Sequence, residues 1–140
     1  MIWDIILNAR QYYDNLASEF REGGIVMSKP FLEVRPLESS DYKWETPPGY
    51  GPDDGIFQMV IAKDEETGVF TRFMKFNPGA QASGGALSHE AWEEVYIFEG
   101  SLVCDGKEYP AGTVCIRPPG TAHGPFNSPN GMMAFEIHYK

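Results

Sequence analysis

The stretch SHEAWEEV, residues 88–95, places one imidazole, His89, four positions ahead of the first of two adjacent carboxylates, Glu93 and Glu94. Imidazole nitrogens and carboxylate oxygens are good donors to zinc, iron, manganese or nickel, so the stretch can be half of a metal site. It reads equally as a solvated turn that carries a histidine, and a partner elsewhere in the chain must decide. His123 lies in PPGTAHGPFN, where proline and glycine stiffen the backbone. His138 and Glu136 share one face of the run GMMAFEIHY by strand alternation, with Met133, Phe135 and Ile137 on the other. If the apolar set faces the core, which is the favoured reading, Glu136 and His138 point outward. In the opposite orientation they would be acid–base groups beside a metal. Alternation also sends Glu94 away from the face of Glu93, as a solvated edge carboxylate. Glu90 reads as a surface turn in preference to a general base. Arg72 and Arg117 could clamp a substrate carboxylate, although strand arginines more often form salt bridges. The sequence contains no Ser–His–Asp set, P-loop or CxxC pair, so nucleophilic hydrolysis, nucleotide use and thiol redox chemistry have no support.

These residues need elements to hold them. Two β-rich runs, 56–62 and 69–76, flank the turn-forming KDEETG and predict a hairpin. The segments EVYIFEG, SLVCDGKEY, GTVCIRPPG and GMMAFEIHY follow, each closed by Gly, Pro, Asn or Asp. Regular short strands with turn signals predict an antiparallel β-sandwich or barrel. Ahead of them, Ile2, Ile5, Ile6, Ala9, Tyr13, Leu16 and Phe20 recur at helical spacing, and EGG at 22–24 is a stop. This predicts an amphipathic helix within residues 1–24 that packs on the barrel or on a partner. FLEV, 31–34, could be a short strand, and WETPPGYGPDDG reads as a long loop. No linker divides residues 25–140, so one barrel is expected there.

Composition narrows the classes. The 140 residues suffice for one domain with a real core. Twenty Asp and Glu against eleven Lys and Arg give a net charge of −9, with no basic stripe for a nucleic-acid backbone or an anionic membrane. No apolar run approaches the ~18 residues of a membrane span. Asp4 interrupts the apolar opening and no basic segment precedes it, a poor match to a secretory signal. Cys104 and Cys115 read as small core residues in a reducing compartment, and a cytoplasmic location is expected.

The segment GTVCIRPPGTAHGPFN matches G-x5-P-x-G-x2-H-x3-N through Gly112, Pro118, Gly120, His123 and Asn127. It resembles the second motif of the cupin superfamily. The earlier stretch is similar to the first, G-x5-H-x-H-x3-E-x6-G, with His89, Glu93 and Gly100 in register. Together the motifs cover roughly residues 70–140. EEVYIFEGSL is further similar to small single-domain cupins, including the ChrR-like barrel of anti-sigma factors and acetylacetone-cleaving enzymes. The resemblance implies an all-β jelly-roll barrel, or double-stranded β-helix, with one divalent metal ion (Fe, Zn, Mn or Ni) at its mouth. His89, Glu93 and His123 fall on ligand positions. Leu87 stands where the family's first histidine would be, and Gln81 where its opening glycine would be. Trp92, Phe126, Phe73, Tyr96, Met132 and Leu87 are candidate pocket walls, and Glu136 and His138 are weak catalytic candidates.

The function so implied is a metal-dependent enzyme of dioxygenase, lyase or isomerase type, acting on a small oxygenated molecule with the metal as Lewis acid or oxygen activator. The alternative is a non-catalytic metal- or metabolite-binding module that acts as a sensor or regulator. Members of this group usually form homodimers, which would cover an exposed sheet.

Overall fold

The computed structural model describes residues 42–140, and the helix expected within 1–24 and the strand at 31–34 lie outside them. Within that range the chain is all-β. Strand β1 (Ile56–Lys63) turns into β2 (Phe70–Phe76), the hairpin expected from their β-branched and aromatic content. Asp64 holds the turn, its carboxylate accepting from the Glu66 and Thr67 amides at 2.9 and 3.0 Å. Antiparallel pairing continues from β2 to β8 (Met132–Tyr139), from β8 to β4 (Trp92–Cys104), and from β4 to β6 (Val114–Arg117). A second sheet joins the far end of β4 to β5 (Lys107–Pro110) and β7 (Phe126–Ser128), and β7 to β3 (Ala80–Gln81).

Strand β4 therefore belongs to both sheets. Sequence patterning divides it at Gly100 into two strands, whereas the chain runs through as one. A bulge between Ile97 and Glu99 and the positive φ of Gly100, 69°, bend it between the sheets. A Cβ on Gly100 would lie 2.0 Å from the Gly131 carbonyl oxygen, so no side chain fits. Strands β3 and β7 are too short for a periodic signal, and patterning misses both.

The apolar core lies inside the curl and includes Ile56, Met74, Phe76, Ile97, Leu102 and Phe126. One expectation is reversed here. On β8 the buried residues are Met132, Ala134, Glu136 and His138, while Met133, Phe135 and Ile137 are half-buried on the outer face. Alternation separates the two faces correctly but does not say which one turns inward. The inner face is apolar at Met132 and Ala134 and charged at Glu136 and His138, and the neighbouring strands supply counter-charges. The outer apolar set packs on itself, with Phe73 and Phe135 ring centroids 5.3 Å apart and Phe73 and Phe98 5.9 Å apart. Among the described residues no helix is long and apolar enough to cross a membrane.

Candidate functional site

Cross-strand register builds one wall of the site. Glu93 on β4 lies opposite His138 on β8 and opposite Arg117 on β6. On the next pair, Arg72 of β2 lies opposite Glu136 of β8. All five side chains point inward. Directly opposed residues on one face are the pairs that interact most in a sheet, and here they are ionic. The Arg117 guanidinium donates to Glu93 Oε2. Arg72 donates to Glu136 Oε1 at 2.6 Å through one terminal nitrogen and at 3.0 Å through Nε, and to Gln58 Oε1 at 2.7 Å. The two arginines, raised above as substrate clamps, are committed to carboxylates of the chain itself.

Two loops supply the other imidazoles. Leu87 and His123 exchange both backbone hydrogen bonds at 2.9 Å, and the Gly120 amide donates to the His89 carbonyl at 2.9 Å. These bonds zip segment 87–89 to segment 120–123. The rings are fixed from behind: His89 Nδ1 lies 2.8 Å from the Ala91 carbonyl and His123 Nδ1 lies 2.8 Å from the Thr121 carbonyl. A carbonyl only accepts, so each Nδ1 carries a proton, and in the neutral ring each Nε2 presents a lone pair to the interior.

The three Nε2 atoms converge on one carboxylate. His89 and His138 stand 3.6 Å from Glu93 Oε1, and His123 stands 3.8 Å from Glu93 Oε2. The donor atoms of His89, Glu93 and His138 all lie within 4.8 Å of one another. Two donors each about 2.1 Å from a shared ion stand about 3.0–3.5 Å apart; the three imidazole–Glu93 gaps of 3.6–3.8 Å approach that spacing, while His123 is not part of the 4.8 Å group. His89 Nε2 is buried with no hydrogen-bond partner, an orphaned acceptor lone pair that a cation would satisfy. The donor set fits a divalent metal.

Electrostatics keep Glu93 charged and favour the protonated form of His138. Burial alone would raise the Glu93 carboxyl, but hydrogen bonds from His138 and Arg117 and the Arg117 charge outweigh it and hold the pKa down at about 2. Glu93 is an anion at any ordinary pH. Desolvation opposes protonation of His138, while its 2.7 Å hydrogen bond to Glu136 and its contact with Glu93 raise its pKa overall. The His138 ring also stacks on Phe70, with centroids 4.2 Å apart.

The residues named from sequence fall into two groups. His89, Glu93, His123, Glu136 and His138 all line one cavity of about 70 Å³, together with Leu87, Phe126 and Met132. That is room for several waters or a small molecule. Trp92 and Tyr96 are not on its wall: Glu93, Val95 and Ile97 point inward on β4, so Trp92 and Tyr96 are 39% and 47% exposed on the outer face. Phe73 is likewise outside, because its neighbours Arg72 and Met74 line the cavity. Glu94 shares the outer face and accepts from the Tyr139 hydroxyl at 2.7 Å. Sequence reasoning missed Tyr50, which reaches the cavity from the loop before β1. No periodic signal marks a loop residue, and none could have found it.

Residues 36–139 match the family model described as the ChrR cupin-like domain. Solved structures with the same fold include three informative neighbours. An RmlC-like cupin from Shewanella frigidimarina aligns at TM-score 0.58 and 19% identity, over 80% of this chain and 93% of that one. An acetylacetone dioxygenase from Acinetobacter johnsonii aligns at 0.61 and 17%, over 83% and 80%. The anti-sigma factor ChrR of Rhodobacter sphaeroides, in complex with SigE, aligns at 0.51 and 13%, over 69% and 48%. A search of curated proteins gives no match.

Proposed function

Because this chain belongs to the ChrR cupin-like family, we propose that it is a metal-dependent enzyme that acts on a small oxygenated molecule inside its barrel. The observation that carries this reading is the convergence of His89, His123 and His138 on Glu93, with His89 Nε2 left orphaned. His89, Glu93 and His123 are the proposed ligands, as the motifs imply. His138 Nε2 donates to Glu136 Oε1 at 2.7 Å, so it would serve as a fourth donor in compensation for Leu87 only where the ion displaces that proton. A divalent ion held there supplies Lewis acidity or, if it is iron, oxygen activation.

The cavity's charge supports an oxygen-bearing ligand. Arg72 and Arg117 balance Glu136 and Glu93, so a divalent ion would leave the site positive and favour an anionic oxygen such as an enolate, alkoxide or carboxylate. Met74, Phe76, Val95, Ile97 and Ala134 line the remaining wall and would take a short apolar body. The acetylacetone dioxygenase neighbour supports an oxygenase reading, and the ChrR neighbour supports a metal-binding sensor as the alternative. We also propose a homodimer formed through the exposed outer sheet face.

Elemental analysis of protein purified without added metal tests the centre. About one ion per chain is expected in the wild type, with loss in His123→Ala. Saturating metal at 100 times its Kd should stabilise the fold by about 2.7 kcal/mol. The metal reading fails if neither preparation holds metal and added Fe, Mn, Zn or Ni leaves the melting temperature unchanged. With iron bound, oxygen uptake on a β-diketone and catechol panel supports the enzyme; metal binding without turnover of any panel member favours the sensor.

A further inference from the structure

The polar groups on the cavity wall are mostly spent. Both arginines are bound to carboxylates, and both loop histidines give their Nδ1 protons to carbonyls. Tyr109, one of two phenols on the wall, sits in the second sheet opposite Leu102, with the Lys107 ammonium 5.2 Å from its ring centroid. The other phenol, Tyr50, is different. Its ring packs against the apolar core, and its hydroxyl has no hydrogen-bond partner among the described residues. Desolvation pushes its pKa well up, so the hydroxyl keeps its proton as a donor. Of the surrounding charges, Arg72 lowers that pKa while Glu136, Glu93 and Asp54 raise it.

The loop that carries Tyr50 is built to hold it still. The Tyr50 amide donates to the Pro47 carbonyl at 3.3 Å, and Asp54 closes the next turn with its amide on the Gly51 carbonyl at 3.2 Å. The Asp54 carboxylate accepts from the Gly51 amide at 2.8 Å and from the Ser83 amide at 3.0 Å, which staples the loop to the segment leading into Leu87. Gly49 has φ 90°, and a Cβ there would lie 3.5 Å from the Leu87 side chain. The residue that stands in a ligand position is therefore packed beneath this loop.

We infer that Tyr50 is a ligand-contacting, specificity-determining residue, whose hydroxyl donates a hydrogen bond to an oxygen of the small molecule bound beside His89, Glu93 and His123. The inference rests on the metal-centre reading and deepens it: the site selects molecules that offer one oxygen to the metal and a second acceptor to Tyr50. A nitrogen ligand without such an acceptor gains nothing from it.

The test loads the full-length protein with Co²⁺, whose visible bands report coordination, and titrates it with 4-nitrocatechol or imidazole. In Tyr50→Phe, cobalt uptake and the ligand-free bands should match wild type, and imidazole should bind equally well. Binding of 4-nitrocatechol should weaken by about three- to tenfold, the worth of one hydrogen bond. Unchanged nitrocatechol affinity overturns the inference. So does equal weakening of imidazole, or loss of cobalt from the variant, since Tyr50 would then shape the centre and not the ligand. If wild type takes up no cobalt, the metal reading itself fails and the inference falls with it.

Discussion

Glu93 is a buried carboxylate whose neighbours come from four different segments, and its closest cation, Arg117, is only 16% exposed. Removing one partner of a buried ion pair leaves the other charge uncompensated, which costs about 3–5 kcal/mol. Arg117→Met should therefore destabilise the metal-free protein by about 3 kcal/mol in urea unfolding. The deficit should shrink when metal is added, because the ion replaces the lost charge. A deficit that is the same with and without metal would mean that Glu93 does not face the ion. At this scale His89, Glu93 and His123 are nameable from sequence, because motif spacing records them. Glu136 and His138 are named, but their orientation is not, since Met132 and Ala134 make the inner face of β8 look as apolar as the outer one. Tyr50 is invisible, because only the folded loop brings it to the cavity.

Strand β4 carries the Glu93 carboxylate at one end and the second sheet at the other, and its bend at Gly100 holds the two in fixed relation. An alanine there meets both a positive φ and the Gly131 carbonyl, and Gly100→Ala should cost about 3 kcal/mol or more. Gly106 has nearly the same φ, 75°, but nothing within 4 Å of a notional Cβ. Gly106→Ala should cost only about 1–2 kcal/mol, the conformational penalty alone. Equal losses in the two variants would mean that the close approach at Gly100 has no energetic weight. The β1–β2 hairpin and strands β5, β6 and β8 were legible, because alternation and turn residues mark them. The passage of β4 between sheets was not, since a glycine inside a strand reads as an end until the facing backbone is known.

At the scale of the molecule, the described residues leave a sheet face apolar where water reaches it: Val114 is 62% exposed, Ile116 58%, Tyr96 47% and Phe98 41%. A contiguous patch of this kind marks an association surface, and a two-fold pairing would place it against itself. For the proposed homodimer, the double variant Val114→Lys and Ile116→Lys should be monomeric by size-exclusion light scattering, with its metal content unchanged. A wild type that is already monomeric, or a variant that still pairs, would remove this face from consideration. All-β class and antiparallel pairing were readable from turn spacing, but an outer face of aromatic residues reads as core until its exposure is measured. The backbone carbonyls of Ala91 and Thr121 hold the rings of His89 and His123 in place without help from an ion. For the proposed ion, loading and stripping would then be exchanges at a finished socket and not folding events, so a chelator should empty the barrel without melting it. Occupancy would follow the free metal concentration reversibly, as a gauge follows the level in a tank.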